Sequence, residues 1–120
     1  MKKLKIVLLI ATLLPVQQAY SFNVIGEWLD KNSHLIVTAK GNAYYAKLVT
    51  TVDVCSGDVE GDAVLTGSVL KITPKDPDND SICTINIKFS GEKASIEEVD
   101  DCGFYHGASC YFQGNLRKRK

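Results

Sequence analysis

The residues with the clearest chemical character lie in one short segment, 102–110, which reads Cys-Gly-Phe-Tyr-His-Gly-Ala-Ser-Cys. With Asp101 just before it, and His106 and Ser109 within it, the segment holds the residue types of a Ser-His-Asp hydrolase. The sequence contains no G-x-S-x-G motif, and these separations along the chain do not define a triad. We therefore expect that the protein is not an enzyme and carries no cofactor.

The same segment has the composition of a binding loop. Phe104, Tyr105 and His106 are residue types that anchor well in the cleft of a protein partner. Asp100 and Asp101 stand directly before them and would attract a cationic partner. The alternative is that the two aromatic side chains pack on the body of the domain and that His106 caps a turn between glycines.

The start of the chain predicts export. Three lysines lie within its first five residues, an almost unbroken apolar run follows at 6–14, and Ala19 and Ser21 place small residues at a cleavage site. This is the three-part layout of a secretory signal peptide, and the run is shorter than the about 20 residues that span a bilayer. We expect a mature chain that starts at Phe22 and is periplasmic or secreted; an uncleaved anchor is the alternative.

The charge changes when residues 1–21 are removed. The chain has 14 basic and 14 acidic residues, and three of the basic ones lie in the signal peptide. Four of the remaining eleven form a basic tail at 117–120, so the body at 22–116 is strongly acidic. An acidic body favours cationic partners and argues against nucleic acid. The tail could touch an anionic membrane surface, although such tails are more commonly solvated.

The chain contains four cysteines: Cys55, Cys83, Cys102 and Cys110. An even number of cysteines in a short exported chain predicts disulfide bonds. A zinc site is not expected, since there is no C-x-x-C pair and the histidines are limited to His34 and His106. Four cysteines allow three pairings. We expect Cys102–Cys110 with Cys55–Cys83, because the first pair brackets a short, Gly-containing turn between two predicted strands, which keeps its ends close.

The body of the chain predicts strands. Apolar and polar residues alternate along 46–54, 83–90 and 110–117, which is the period of a half-buried strand. Shorter strands fit 25–29, 35–39, 63–66, 69–73 and 94–99. Turn-forming residues occur at 31–33, 40–42, 56–58, 74–80 and 90–92. About eight short strands predict one all-β domain at 22–116, either an antiparallel up-and-down barrel or a sandwich.

The segment Ile25-Gly26-Glu27-Trp28, with the apolar strand at 35–39, resembles the opening of calycin-type barrels, which begin with a G-x-W strand. The resemblance implies that Trp28 closes one end of a barrel and that Arg117 lies across it. The chain is much shorter than a lipocalin and has a single tryptophan, so a biotin pocket is not expected. A barrel of eight short strands is filled by its own side chains or holds one small ligand.

A histidine in a disulfide-tied loop on an acidic barrel is similar in kind to the bacterial periplasmic lysozyme inhibitors, although the spacing differs from their C-K-P-H-D-C loop. The analogy implies that His106 enters the enzyme cleft, that Phe104 and Tyr105 flank it, and that Asp100 and Asp101 guide the approach. We expect a binding or inhibitor protein for a cationic, lysozyme-type enzyme. The alternatives are a lipocalin-like carrier of a small apolar ligand and an immunity protein against a cell-wall toxin.

Overall fold

The structure is a computed structural model that describes residues 23–75 and 83–120. The predicted signal peptide and most of the predicted loop at 74–80 lie outside these residues. Eight strands follow one another along the chain: β1 (Gly26–Leu29), β2 (Ser33–Lys40), β3 (Ala43–Val52), β4 (Cys55–Thr66), β5 (Val69–Pro74), β6 (Ile85–Ser90), β7 (Lys93–Glu98) and β8 (Gln113–Lys118).

Each strand pairs antiparallel with the next one, and β8 returns to pair with β1. Trp28 and Leu29 lie opposite Lys118 and Arg117 at this closing seam. The all-β prediction is confirmed, and of the two predicted architectures the structure has the closed barrel.

The core lies inside the barrel and is formed by alternate residues of every strand. The predicted alternation is confirmed on β3, where Ala46, Leu48 and Thr50 are buried, and on β6, where Ile85 and Ile87 are fully buried. Burial of one such aliphatic side chain contributes about 1.5–3 kcal/mol. Leu35, Leu70 and Ile72 are among the other fully buried aliphatic residues.

The turn predicted at 56–58 is wrong, because β4 runs without a break from Cys55 to Thr66. The chain reverses just before it, at 53–54, where Asp53 adopts a φ of 56°. Gly57 occupies an inward position of the strand, where a Cβ would lie 2.6 Å from the Cβ of His106. The glycine is therefore required because segment 99–112 passes close to the β4 backbone at this point, and not because the chain turns there.

Trp28 fills one end of the barrel, which we call the Trp28 end. Its side chain is buried, its Nε1 donates to the Val24 carbonyl at 3.0 Å, and its ring meets Phe89 edge-on at 4.7 Å between centroids. Lys118, and not Arg117 as expected, lies over the ring, with Nζ 5.3 Å from the centroid. Alternation along β8 explains this, since Arg117 points outward.

The predicted basic tail is joined to the barrel. β8 extends to Lys118, so the first two residues assigned to the tail lie in a strand. Arg119 reaches Glu27 at 2.7 Å, and Lys120 reaches Glu92 at 3.2 Å. In the part of the chain that is described, no helix has the length and apolar character needed to cross a bilayer.

Candidate functional site

The other end of the barrel carries the turn between β1 and β2, the turn at 53–54 between β3 and β4, and the long segment 99–112 between β7 and β8. We call it the loop end. Antiparallel order brings these connections together, because each one follows a strand that runs in the same direction.

Two disulfides fix this end, and the predicted pairing is wrong. Cys55 is bonded to Cys110, with Cα atoms 6.0 Å apart, and Cys83 is bonded to Cys102, with Cα atoms 4.4 Å apart. The segment 99–112 is therefore not closed on itself but is attached near each of its ends to a different part of the barrel. The two bonds are consistent with an oxidising compartment.

The middle of segment 99–112 lies along the start of β4 like a short additional strand. Asp58 N donates to the Tyr105 carbonyl at 3.0 Å, and Gly107 N donates to the Ser56 carbonyl at 3.0 Å. Gly57 and His106 form the bridge between these two bonds. β5 pairs with β4 from Gly61 to Thr66, so the segment occupies the part of the β4 edge that β5 leaves uncovered.

His106 is buried, with 5% of its side chain exposed. Its Nδ1 donates to the Gly107 carbonyl at 2.7 Å, and its Nε2 lies 3.1 Å from Oε1 of Glu98. The ring also meets Tyr111 and Phe112 edge-on, at 5.5 and 5.3 Å between centroids. A backbone carbonyl and a carboxylate both accept hydrogen bonds, so these partners fit an imidazole that carries protons on both nitrogens.

The surroundings favour the charged form of His106. Burial of the ring opposes that form, but the hydrogen bonds to Gly107 and Glu98 and the negative charges of Glu98 and Asp101 outweigh it. Together they raise the pKa of His106 above its ordinary value. When His106 is protonated, it therefore forms an ion pair with Glu98 in which both side chains are largely buried.

Glu98 connects three parts of segment 99–112. Its carboxylate accepts hydrogen bonds from Phe112 N at 3.0 Å and Cys102 N at 3.3 Å, besides the contact with His106. Sequence reasoning did not select Glu98 as a site residue. Its position could have been inferred from strand alternation, because Glu98 lies two residues after the buried Ile96 on β7 and therefore on the same, inward face.

The hydrolase residue types do not come together as a triad. Both ring nitrogens of His106 are engaged, by Gly107 and Glu98, and Ser109 is exposed. Among residues 23–75 and 83–120, no three His, Cys, Asp or Glu side chains form a group that could hold a metal ion.

The predicted site residues differ in what they present to solvent. Phe104 is 72% exposed, and Asp100 and Asp101 are exposed as well. Tyr105 is half-buried, packs against the core, and meets the Phe104 ring edge-on at 5.7 Å between centroids. Of Phe104, Tyr105 and His106, Phe104 is thus the most exposed, Tyr105 packs against it, and the His106 side chain is buried.

Apolar side chains are exposed mainly at the loop end. Of the seven large hydrophobic residues exposed in the described chain, five lie there: Val52, Val54, Val99, Phe104 and Tyr111. Val54 at the turn between β3 and β4 is fully exposed. The Cys55–Cys110 bond joins this turn to the segment that carries Phe104 and Tyr111, so both stretches belong to one surface.

Charge is distributed unevenly between the two ends. Exposed carboxylates at the loop end are Asp53, Asp58, Glu97, Asp100 and Asp101. The cations Lys40, Lys93, Arg117, Arg119 and Lys120 lie toward the Trp28 end, where Asp62, Glu27 and Glu92 pair with three of them. An open groove of about 370 Å³ at the loop end lies beside Glu97, Tyr111 and Gln113. The loop end therefore combines an exposed ring, apolar surface and negative charge.

Comparison of the chain with protein-family models, with curated proteins and with solved structures gives no match.

Proposed function

We propose that the protein is an exported binding protein whose loop end docks onto a cationic protein partner. The observation that carries this proposal is the position of Phe104. Its ring is 72% exposed, yet it belongs to a segment attached by two disulfides and by the buried His106–Glu98 ion pair.

A fixed aromatic side chain suits recognition for two reasons. Aromatic residues surrounded by well-packed neighbours contribute a large share of the binding free energy at protein interfaces. A segment that is already ordered loses little conformational entropy when the complex forms. The backbone bonds from Tyr105 and Gly107 to β4 hold the segment in place before any partner arrives.

The charge of the loop end indicates which kind of partner fits. Exposed carboxylates increase the rate of encounter with a positively charged surface. The groove beside Glu97, Tyr111 and Gln113 offers a carboxylate, an aromatic ring and an amide to a single side chain. A lysine or arginine of the partner would find both a charge-assisted hydrogen bond and a cation–π contact there.

Within this class, a cationic lysozyme-type enzyme is the target that we propose. Phe104 would enter or cover its cleft, with Asp100 and Asp101 contacting the basic rim. His106 takes a different part from the one that the sequence analogy implied, because its buried side chain positions the segment and does not reach solvent.

The alternative of a small-ligand carrier has less support. The inward-facing side chains Leu35, Leu48, Leu70 and Ile87 are fully buried and pack on one another in the barrel interior. An immunity protein would also bind its target through the loop end, but the target would be a secreted cell-wall toxin and not a lysozyme.

The proposal is tested by adding the oxidised chain, residues 22–120, to c-type, g-type and i-type lysozymes and to a secreted metalloprotease. We expect inhibition of one lysozyme, with an affinity that weakens as salt rises, because exposed charges are screened. If only the metalloprotease is inhibited, the proposed target class changes from lysozymes to metalloproteases. If no enzyme in the panel binds or is inhibited, the lysozyme and protease assignments both fail.

A further inference from the structure

A second surface, on the outer wall of the barrel, is distinguished by its positive charge. β6, β7 and β8 together form an open groove of about 420 Å³. Its polar lining residues are Lys88, Ser90, Lys93, Ser95, Asn115 and Arg117. In one row across the sheet Lys93 lies directly opposite Arg117, and in the next row Ser95 lies between Lys88 and Asn115.

Among the described residues, the three cations of this groove have no counterion. None of the ion pairs formed among the described residues includes Lys88, Lys93 or Arg117. Like charges that face each other across neighbouring antiparallel strands destabilise a sheet. Lys93 and Arg117 are paired in this register, so a bound anion would relieve their mutual repulsion.

The neighbouring basic residues behave differently. Arg119 pairs with Glu27 at 2.7 Å and Lys120 pairs with Glu92 at 3.2 Å. Glu27 and Glu92 are thus engaged by the C-terminal residues and not by the cations of the groove. Among the described residues, Lys88, Lys93 and Arg117 thus form an unpaired basic cluster, whereas Arg119 and Lys120 of the tail that the sequence suggested for membrane contact are paired.

The lining groups match the chemistry of an oxyanion. Lysine and arginine donate hydrogen bonds and accept none, and the hydroxyl and amide groups of Ser95 and Asn115 can donate as well. Strands lie about 4.8 Å apart, so the side chains on β6 and β8 stand about 10 Å from each other. The geometry points to a site for phosphate groups, with Lys93 and Arg117 on one phosphate and Lys88 reaching a second.

This site is separate from the surface proposed to bind a protein partner. It lies on the barrel wall toward the Trp28 end, whereas Phe104 and the exposed carboxylates lie at the loop end. A phosphate-bearing ligand and a cationic protein can therefore bind at the same time. The phosphates belong either to lipid headgroups or to a soluble molecule, and the experiment separates these sources.

The test follows backbone amide signals of oxidised residues 22–120 by NMR while pyrophosphate is added, and measures sedimentation with phosphatidylglycerol or phosphatidylcholine vesicles. We expect pyrophosphate to shift the signals of Lys88, Lys93 and Arg117. Lys93→Gln/Arg117→Gln should weaken binding about tenfold or more, as expected for lost charge-assisted hydrogen bonds. If the protein sediments with phosphatidylglycerol vesicles but not with phosphatidylcholine vesicles, the phosphates belong to lipid headgroups. If it binds pyrophosphate but neither kind of vesicle, the ligand is a soluble molecule.

The matched control is Lys47→Gln/Lys71→Gln, which removes the same charge from exposed positions on β3 and β5. A second variant, Asn115→Asp, keeps every cation and adds a carboxylate to the groove, and it should also weaken binding. The site is overturned if neither pyrophosphate nor phosphatidylglycerol binds, or if the control loses as much affinity as the groove variants. Melting curves should show both groove variants folded.

Discussion

The imidazole of His106 and the carboxylate of Glu98 form a buried ion pair, with 3.1 Å between Nε2 and Oε1, that joins the middle of segment 99–112 to the end of β7. The same carboxylate also accepts from the backbone at Cys102 and Phe112. This one side chain therefore holds together the segment that presents Phe104.

Glu98→Ala should destabilise the protein strongly. It leaves the buried His106 without its counterion and two backbone N–H groups without an acceptor, and removing one partner of a buried pair costs about 3–5 kcal/mol. Urea unfolding measures the loss. Glu97→Ala is the matched control, since Glu97 is the exposed neighbour on β7 and its removal should change stability little. Equal losses in the two variants would contradict the role given to Glu98.

The stability contributed by His106 should depend on pH with a defined sign. Because folding raises its pKa, the contribution is complete below the ordinary histidine value and is lost as pH rises through the raised folded value. Unfolding free energies from about pH 5.5 to about pH 9 should thus fall for the wild type across this window. His106→Gln should lose this component, and His34→Gln should keep it. An unchanged slope in His106→Gln would show that the ring is not charged in the fold.

A tryptic digest made without reduction distinguishes the two bonds of the structure from a Cys102–Cys110 bond. Trypsin separates Cys55, Cys83 and the stretch 94–117, which contains both Cys102 and Cys110. The structure predicts that these three peptides stay joined, whereas Cys102–Cys110 pairing would release 94–117 alone.

Removal of either bond should lower stability by an amount set by the loop that it closes. With separations of 55 and 19 residues, the chain-entropy estimate is about 4 kcal/mol for Cys55–Cys110 and about 3 kcal/mol for Cys83–Cys102. Paired serine substitutions, compared by urea unfolding, measure both values. A variant that lost no stability would show that the corresponding bond does not form.

The sequence predicted the strands whose pattern depends on local alternation, such as the one that contains Ile85 and Ile87. It failed at Gly57, because a glycine inside a strand looks like a turn when the reason for it is a side chain that is distant in sequence. The disulfide pairing was inaccessible for the same reason: closure of the barrel, and not loop length, places Cys55 beside Cys110.

The sequence analysis selected a segment that lies at the loop end, but not which of its side chains are exposed. Segment 102–110 and the carboxylates before it do lie together at one end of the barrel. Which side chain faces solvent depends on how the segment packs on β4, and composition does not specify that. The contact of Lys118 with Trp28 could have been predicted from the sequence. Alternation along β8 from the buried Leu116 makes Arg117 face outward and Lys118 face inward.

The central claim is that the loop end binds a cationic protein through Phe104, and calorimetric titration of variants against the lysozyme panel tests it most directly. Phe104→Ser should keep the wild-type melting temperature and weaken binding about tenfold or more, as expected for an interface hot spot. Val54→Ala at the loop end should weaken binding modestly, and Val64→Ala, the matched exposed valine on the barrel wall, should leave it unchanged. Full binding by Phe104→Ser, or equal losses in the two valine variants, would contradict the account.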